Sequence, residues 1–416
     1  MSLTRRSFSL AAAAGLGALA VPRASRAAPA EPRFLIVVAA RGAWDVTWCL
    51  DPKRAPMCDV PAGELTSFAS GHKILTSKER PSIKAFFDAH AARAAVINGI
   101  WIGSVAHTSA RIRILTGTRS ERNPDVGALF AAEAARQNPA LALPYVDLGG
   151  GAYAGPYASL LGRVGTTNQL VTLLDRSKAF KTRDERGSTD PSADERAALS
   201  AYVAQRAEAE LRAAAGPTRD RLDGFRTSLT RADTLRDNPE LRGLTVGRAT
   251  TLAQQGELAI ALFKSGVSAA AYLDSRIDWD THDTIADQGT SHEQLFSELL
   301  KITRRLEETG LLARTTVAVL SEFTRTPKLN KQPEPGKDHW PLTSALVFGG
   351  KIKAGRYGTT DDSLGAVPVR MDDGAASDSG RLLQFDNFAA GLLTHFGIPY
   401  TPSIPSTVEP FRGPFA

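Results

Sequence analysis

Short, almost uninterrupted apolar runs are the feature of this chain that most constrains its fold. Most of them have about four to eight residues and are rich in β-branched side chains, a pattern typical of strands covered on both faces. The candidates are Arg33 to Ala40, Ala94 to Asn98, Tyr145 to Leu148, Ser268 to Leu273, Thr315 to Leu320 and Ser344 to Phe348. Such strands belong to parallel or mostly parallel sheets with helices on either side.

Amphipathic helical patterns lie between these runs. They cover Ser82 to Ala92, Val126 to Gln137, Thr250 to Ser265 and His292 to Leu312. Strands that alternate with helices along a chain form crossover units. We therefore predict an α/β fold, a three-layer α/β/α sandwich with a mostly parallel central sheet.

One segment departs from this alternation. Between Lys178 and Arg248 the composition shifts to Arg, Glu, Asp and Ala, with long charged helices predicted over Ser192 to Ala215 and Thr218 to Arg236. We interpret residues 178–248 as a helical insertion that caps the site. A solvated pair of surface helices with no role at the site explains the pattern equally well.

The N-terminus has the composition of an export signal. Arg5 and Arg6 precede an alanine-rich apolar stretch that runs to Val21, and small residues suited to cleavage follow. We predict a twin-arginine signal peptide in residues 1–30, the Tat translocase as a transient partner, and a periplasmic or secreted domain in residues 31–416. Because no later segment approaches about eighteen consecutive apolar residues, we expect no stable membrane anchor.

The net charge of the chain argues against nucleic acid as a partner. The formal charge is +6, and the first thirty residues contain four arginines and no acid. Removing those four charges leaves +2 for the chain from Glu31 onward. A balance this small gives no electrostatic case for binding a polyanion.

Cys49 and Cys58 are the two cysteines of the chain. They could form a disulfide in an oxidising compartment, but a chain that folds before export would have to close the bond afterwards. Buried free thiols are the alternative, and neither cysteine has the surroundings of a nucleophile.

Carboxylates and imidazoles follow several of the predicted strands. Asp278, Asp280 and His282 come after one strand, Glu322 comes directly after another, and Asp338 and His339 precede the last core strand. Open α/β sheets build their sites where strands end. Oxygen and nitrogen ligands of this kind suit a divalent metal, namely Zn, Mn, Mg or Ca.

Further polar residues lie after the first strands. Asp45 follows Arg33 to Ala40 and is a candidate metal ligand, although a turn or capping role fits its position as well. His107 and Thr108 open a helix, with Arg111 one turn later. These three residues are candidates for catalysis and anion binding, whereas an ordinary helix start is the alternative.

Several of these motifs resemble one known family. They are Ser321-Glu322-Phe323-Thr324-Arg325-Thr326-Pro327, Gly336-Lys337-Asp338-His339-Trp340-Pro341, Gly349-Gly350-Lys351-Ile352 and Trp279-Asp280-Thr281-His282, together with the twin-arginine start. They are similar to the exported bacterial proteins called domain of unknown function 1501. That family resembles the alkaline phosphatase and sulfatase superfamily.

This resemblance implies roles for individual residues. Asp45, Asp278, His282, Glu322 and His339 match the metal-ligand positions of the superfamily. His107 falls at the nucleophile position, and Arg111 matches the sulfatase-like arginine.

The chain also departs from the superfamily pattern. A histidine stands where a serine, threonine or modified cysteine is expected, and Phe323 stands where a second-metal histidine usually follows. In the family Asp280 looks more characteristic than Asp278, so the choice between the two carboxylates stays open.

Two functions follow as hypotheses. The first is an exported, metal-dependent hydrolase of phosphate or sulfate esters on small molecules or glycans, with Thr108 as the hydroxyl nucleophile and His107 as a ligand, base or covalent acceptor. The second is a catalytically silent exported binding or assembly protein that keeps the fold and one metal.

Overall fold

Eight strands form the central sheet of the protein. A computed structural model gives the architecture and describes residues 31–163, 192–237, 251–331, 333, 335–401 and 403–415. The strands are β1 (Phe34–Ala39), β2 (Glu64–Ser67), β3 (Lys73–Thr76), β4 (Ala94–Trp101), β5 (Tyr145–Asp147), β6 (Leu161–Arg163), β7 (Ala270–Asp274), β8 (Thr315–Leu320), β9 (Thr324–Arg325), β10 (His339–Trp340), β11 (Leu342–Gly349) and β12 (Gly355–Tyr357). The sheet order is β12-β4-β11-β8-β1-β7-β5-β6, and β2 with β3 and β9 with β10 form separate two-stranded ladders.

The sheet is parallel except at one strand. β1 pairs in parallel with β7 and β8, β5 with β6 and β7, and β4 with β12. β11 lies antiparallel between β4 and β8. Within the described sheet β11 is therefore the one strand that runs in the opposite direction, which confirms the predicted mostly parallel sheet. All six predicted strands lie in it.

Helices cover the sheet as two groups. The helices are α1 (Pro81–His90), α2 (His107–Thr116), α3 (Val126–Gln137), α4 (Ala193–Ala213), α5 (Gly216–Asp237), α6 (Leu252–Lys264), α7 (Asp287–Glu308) and α8 (Phe385–His395). α7 packs against α1 and α6, and α8 packs against α2 and α3. With the sheet they form the expected three-layer α/β/α sandwich.

Local sequence signals explain where several of these elements begin. Thr251 and Gln254 form a reciprocal capping box at the start of α6. Asp125 accepts a hydrogen bond from the backbone N–H of Ala128 at 2.7 Å and so caps α3. The predicted helix from His292 instead begins at Asp287, because its first turn is polar and conceals the apolar pattern.

The two long charged helices of the expected insertion are present as α4 and α5. α4 begins with a capping box between Ser192 and Glu195. Residues 164–191 and 238–250 lie outside the described residues, as does the predicted signal peptide in residues 1–30. The capping role of the insertion and the domain boundaries stay predictions.

Two further expectations concern the membrane and the cysteines. Among the described residues, no helix combines the length and apolar character needed to cross a bilayer. Cys49 and Cys58 are both buried free thiols. Burial raises the pKa of both thiols, in agreement with the expectation that neither is a nucleophile.

One edge of the sheet collects the candidate site residues. The segments after β1, β4, β7 and β8 leave the sheet at the carboxyl ends of parallel strands, which lie at the same edge. Because β11 runs in the opposite direction, the residues that precede it arrive at this same edge. The reversed strand thus brings His339 of β10 towards the loops that follow β4, β7 and β8.

Candidate functional site

Four side chains from three segments converge at this edge. His107 opens α2, Asp280 and His282 lie in the loop after β7, and His339 belongs to β10. The Nε2 atoms of His282 and His339 lie 3.2 and 3.3 Å from Oδ1 of Asp280. Nε2 of His107 lies 3.4 Å from Oδ2 of the same carboxylate. We refer to these four residues as the histidine–aspartate cluster.

Each imidazole of the cluster is held from its other side by an acceptor. Nδ1 of His107 donates to Oε1 of Glu322 at 2.9 Å, Nδ1 of His282 to Oδ1 of Asp338 at 3.2 Å, and Nδ1 of His339 to the carbonyl of Val105 at 2.8 Å. Carboxylates and carbonyls only accept, and in each ring the contact of Nδ1 with its acceptor is shorter or better aligned than the contact of Nε2 with Asp280. We therefore assign the proton of each neutral ring to Nδ1. The three Nε2 atoms therefore present lone pairs to the interior of the cluster.

This donor set fits a divalent cation. Nε2 of His107 is buried without a hydrogen-bond partner in the described part of the chain, and Nε2 of His282 faces Nε2 of His339 at 2.9 Å. Ligand atoms of His107, Asp280 and His339 all lie within 4.8 Å of one another. Imidazole nitrogens and a carboxylate, with acceptors behind the imidazoles, are the donors that zinc and similar metals select.

An aromatic side chain forms the floor of the cluster. The ring of Phe323 is fully buried and lies 4.9 Å from the ring of His107 and 4.5 Å from that of His339, measured between centroids. Phe323 occupies the position where the resemblance led us to look for a second-metal histidine. At this position the chain supplies apolar packing in place of a ligand.

The electrostatics of the cluster favour a charged carboxylate. Although partial burial acts in the opposite direction, the hydrogen bond from the guanidinium of Arg325 lowers the pKa of Asp280 to about 2. The hydrogen bond to Glu322 raises the pKa of His107, whereas burial lowers that of His339. Asp280 is thus ionised near neutral pH and offers negative charge to a bound cation.

Arg325 joins the segments that carry the cluster. Its side chain is fully buried, and it donates to the carbonyls of Gly42, Ala43, Trp279 and Lys337. It also binds Oδ1 of Asp280 at 2.6 Å. One planar guanidinium therefore fixes the loop after β1, the loop after β7 and the segment before β10. Arg325 lies in one of the motifs of the sequence, but the motif alone does not predict this role.

A buried ion pair holds the segment that contains Asp338 and His339. Nζ of Lys337 lies 2.7 Å from Oδ2 of Asp45, and both side chains are buried. Oδ1 of Asp45 accepts from the backbone N–H and the hydroxyl of Thr47 at 2.9 and 2.6 Å. Because both oxygens of Asp45 are engaged in this way, its carboxylate is not among the groups that converge on the cluster.

Two of the other predicted residues, Glu322 and Asp338, bind the imidazoles of the cluster, whereas Asp278 lies outside the cluster. Glu322 and Asp338 lie behind the imidazoles of His107 and His282, as described above. Asp278 is exposed, and its Oδ1 accepts from the backbone N–H of Asp280 at 3.0 Å, a bond that shapes the loop. Of the two carboxylates that the sequence left open, Asp280 is the one that reaches the cluster.

The predicted catalytic residues lie on the first turns of α2. Thr108 is exposed, and its hydroxyl makes no hydrogen bond within the described residues. Arg111 is half-buried, and its Nε makes no hydrogen bond within the described residues. Of the three predicted catalytic residues, His107 is the one that joins the cluster.

Two glycines permit the close approach of the loops. Gly42 has a φ of 117°, and its N–H donates to Oε1 of Glu322 at 3.0 Å. A Cβ at Gly336 would lie 1.8 Å from the carbonyl oxygen of His282. Side chains at these positions would force the loops apart, so glycine is required at both.

A family profile matches this chain over residues 35–373, and its description is protein of unknown function (DUF1501). The chain belongs to this family. The DUF1501 match covers β1 through the segment beyond β12, and therefore every residue of the histidine–aspartate cluster. No curated protein matches the sequence.

Solved structures to which this DUF1501 protein is similar include a member of the alkaline phosphatase superfamily, a sulfatase and a lipoteichoic acid synthase. A protein of the alkaline phosphatase superfamily from Vibrio parahaemolyticus has 9% identity and a TM-score of 0.40, with 90% of this chain and 69% of that chain covered. The PsFucS1 sulfatase from Pseudoalteromonas sp. has 12% identity and a TM-score of 0.38, with 92% and 74% covered. The lipoteichoic acid synthase LtaP from Listeria monocytogenes has 8% identity and a TM-score of 0.38, with 91% and 74% covered.

Proposed function

We propose that this DUF1501 protein is a metal-dependent hydrolase of phosphate or sulfate esters on small molecules or glycans. The observation that carries the proposal is the orientation of three imidazoles, His107, His282 and His339. Each donates its Nδ1–H outward and directs its Nε2 lone pair towards Asp280. A purely structural cluster has no need to align three lone pairs with one ionised carboxylate.

The chemistry follows from the residues around the cluster. A divalent cation held there would polarise an ester oxygen and make a water molecule more acidic. Hydrolysis joins the oxygen of water to phosphorus or sulfur, breaks the ester bond and releases the alcohol with a proton. Glu322 and Asp338 fix the orientation of His107 and His282 during this reaction, and Phe323 excludes water from one side.

The group that attacks the ester is either the hydroxyl of Thr108 or a water molecule. If the hydroxyl of Thr108 attacks first, a covalent ester with the protein forms and water then hydrolyses it. If water attacks directly, the hydroxyl is dispensable. Thr108→Ala compared with the neighbouring Ser109→Ala separates these routes, since only the first route loses turnover selectively in Thr108→Ala.

The proposal is tested with purified protein and aryl phosphate or aryl sulfate, with Zn, Mn, Mg or Ca added singly. We expect turnover with at least one pair of metal and ester, and a loss of about 100-fold or more in His107→Ala and His339→Ala. His395→Ala is the matched control. His395 contacts Arg33, which precedes β1, whereas the cluster lies at the edge of the sheet where β1 ends. Silence of the metal-loaded protein across the whole panel would contradict the hydrolase.

The second function is a binding or assembly protein that retains one metal without catalysis. The observation in its favour is that no serine or threonine hydroxyl forms a hydrogen bond with a side chain of the histidine–aspartate cluster within the described residues. Stoichiometric metal, no turnover and a co-purifying partner would support it. Turnover that is lost in the cluster variants would exclude it.

We propose in addition that the protein is exported through the twin-arginine route to the periplasm or beyond. The support is the sequence of residues 1–30, above all Arg5 and Arg6. Replacing both arginines by lysine is expected to keep the full-length protein inside the cell. Export of that variant at the wild-type level would reject this route.

A further inference from the structure

One buried glutamine binds the residues on both sides of Asp280. Gln288 is the second residue of α7, and its side chain is fully buried. Its Nε2 donates to the carbonyl of Trp279 at 3.0 Å and to the hydroxyl of Thr281 at 3.0 Å. Trp279 directly precedes Asp280 in the chain, and Thr281 directly follows it. The amide of Gln288 therefore holds the chain on either side of the carboxylate that the three imidazoles of the cluster face.

The same side chain also reaches the loop after β1. The backbone N–H of Asp45 donates to Oε1 of Gln288 at 2.7 Å, and Nε2 of Gln288 donates to the carbonyl of Ala43 at 3.2 Å. Because a backbone N–H only donates and a carbonyl only accepts, these partners fix which end of the amide faces which group. One side chain thus joins the loop after β1 to the loop after β7.

Asp45 extends this connection to the segment that carries His339. Its carboxylate binds Nζ of Lys337 at 2.7 Å, and Lys337 lies two residues before His339. Gln288 is therefore joined to Asp280 through the loop after β7, and to His339 through Asp45 and Lys337. Since these two connections meet at one amide, its position affects the distance between Asp280 and His339.

Gln288 and Arg325 act on the same loops in different ways. Both side chains donate to the carbonyls of Ala43 and Trp279. Arg325 also binds the carboxylate of Asp280 and contributes a positive charge. Gln288 is neutral, and within the described residues it makes no hydrogen bond with a side chain of the cluster. A change at Gln288 consequently alters the position of Asp280 without altering the charge around it.

The partners of Gln288 have no access to solvent. Asp45, Ala43 and Trp279 are as completely buried as Gln288 itself. Removing the amide would leave the N–H of Asp45 without an acceptor in the interior, and buried polar groups without partners are costly. The two loops would have to shift in order to pair these groups again.

We propose that Gln288 is a positioning residue of the candidate metal site, which holds Asp280 at the distance from His339 that allows both to bind one cation. This inference rests on the metal-dependent function proposed above and assigns part of the metal affinity to an interior amide. Loss of a group that orients metal ligands lowers affinity about 10-fold to 100-fold. Gln288 acts through the two loops and not through contact with the ion.

The test compares Gln288→Met with Gln255→Met in the purified protein. Gln255 of α6 is also fully buried, and its amide binds the backbone N–H and the carbonyl of Asp274 at 2.9 Å each. Methionine has a similar length and removes the hydrogen bonds, so we expect both variants to lower the melting temperature. The affinity for Zn, measured by competition with a chelator, should fall about tenfold or more in Gln288→Met and stay unchanged in Gln255→Met.

A second measurement needs no metal. In NMR spectra of the chelator-treated protein, the imidazole signals of the cluster should shift in Gln288→Met and stay in place in Gln255→Met. If the wild type binds Zn, unchanged affinity in folded Gln288→Met would overturn the positioning role. An equal loss of affinity in folded Gln255→Met would do the same, because the effect would then follow from stability alone. If the wild type binds no Zn, unchanged imidazole signals in Gln288→Met would overturn it.

Thr281→Val takes the place of Gln288→Met in both measurements if the latter does not fold. It keeps the shape of the side chain and removes the hydroxyl that accepts from Nε2 of Gln288. We expect a Zn affinity about fivefold lower, as the loss of one hydrogen bond implies. An affinity equal to that of the wild type would overturn the positioning role.

The failure of this inference can be told apart from the failure of the hydrolase. Zn affinity that depends on Gln288, in a protein that hydrolyses none of the esters, would support the positioning role and reject the hydrolase. Turnover that is lost in His339→Ala, together with wild-type Zn affinity in Gln288→Met, would leave the hydrolase standing and reject the positioning role.

Discussion

The carboxylate of Glu322 accepts a hydrogen bond from Nδ1 of His107 at 2.9 Å and is almost completely buried. Oε1 of Glu322 also accepts the N–H of Gly42 at 3.0 Å. This relationship fixes the tautomer of His107 and directs its Nε2 towards Asp280. Glu322, which the sequence offered as a metal ligand, thus orients a ligand in the structure.

The variant Glu322→Gln removes the charge behind His107 while keeping the shape of the side chain. We expect metal affinity to fall about 10-fold to 100-fold, as is usual when the group behind a metal-binding histidine is lost. In the metal-free protein the pKa of His107 should fall, since the hydrogen bond to Glu322 raises it. Metal titration and NMR titration of His107 measure the two effects. An unchanged pKa together with unchanged affinity would contradict this role.

Arg325 should contribute strongly to the stability of the folded protein. Arg325→Lys cannot reproduce the fork that reaches the carbonyls of Gly42, Ala43, Trp279 and Lys337. We expect the free energy of unfolding in urea to fall by about 3 to 5 kcal/mol. Arg305→Lys is the control, because its ion pairs with Glu257 and Glu308 involve exposed side chains and should matter by less than about 1 kcal/mol. Equal losses in the two variants would contradict the role of Arg325.

The buried pair of Asp45 and Lys337 predicts strong coupling between two substitutions. Asp45→Asn or Lys337→Met alone leaves a buried group without its partner and should lower the free energy of unfolding by about 3 to 5 kcal/mol. The double variant should lose less than the sum of the single losses, by about 1 to 3 kcal/mol. A double-mutant cycle measured by urea unfolding provides this coupling. Additive losses would show that the two side chains act independently.

Stability should decrease on acidification because of a buried histidine outside the cluster. Burial lowers the pKa of His292 to about 4, and its Nδ1 donates to the carbonyl of Gln288 at 2.8 Å. The ordinary pKa of histidine is about 6.5. Below that pH the imidazole of His292 binds a proton in the unfolded chain but stays neutral in the folded protein. The contribution of His292 is therefore complete above about pH 6.5 and is lost as the pH falls towards 4, by about 1.4 kcal/mol per pH unit.

The variant His292→Gln isolates this effect. Glutamine keeps a donor for the carbonyl of Gln288 and does not titrate. The slope of the unfolding free energy against pH between 4 and 6.5 should therefore decrease by the amount that one bound proton contributes, about 1.4 kcal/mol per pH unit. His72, His90 and His395, whose pKa values are also lowered by burial, account for the pH dependence that remains. If the slope of the variant equals that of the wild type, His292 is not the group responsible.

The strands and crossover helices could be predicted because their signals are local. β1 and β8 are continuous buried runs, and an apolar period reveals α3 and α6. The reversal of β11 could not be predicted, since direction in a sheet depends on which strands become neighbours. The reversed direction brings His339 to the edge where the other cluster residues lie.

The candidate site was predictable in its residue types and only partly in their roles. Asp280, His282 and His339 lie close together, and His107 joins them. Asp45 and Asp278 also follow strands, but a lysine nearly three hundred positions away engages one carboxylate and a local turn engages the other. Long-range partners of this kind leave no trace in the spacing of a sequence. Arg325 lies in the motif Ser321-Glu322-Phe323-Thr324-Arg325-Thr326-Pro327, and that motif was the available signal for it.

The most direct test of the whole account is the metal content of the protein after equilibration with each divalent ion, measured by elemental analysis. We expect one tightly held ion per wild-type chain, loss of that ion in Asp280→Asn and His339→Ala, and full retention in Asp278→Asn, because Asp278 lies two residues from Asp280 and outside the cluster. A wild-type chain that holds no ion, or an ion that survives in folded Asp280→Asn and His339→Ala, would contradict it.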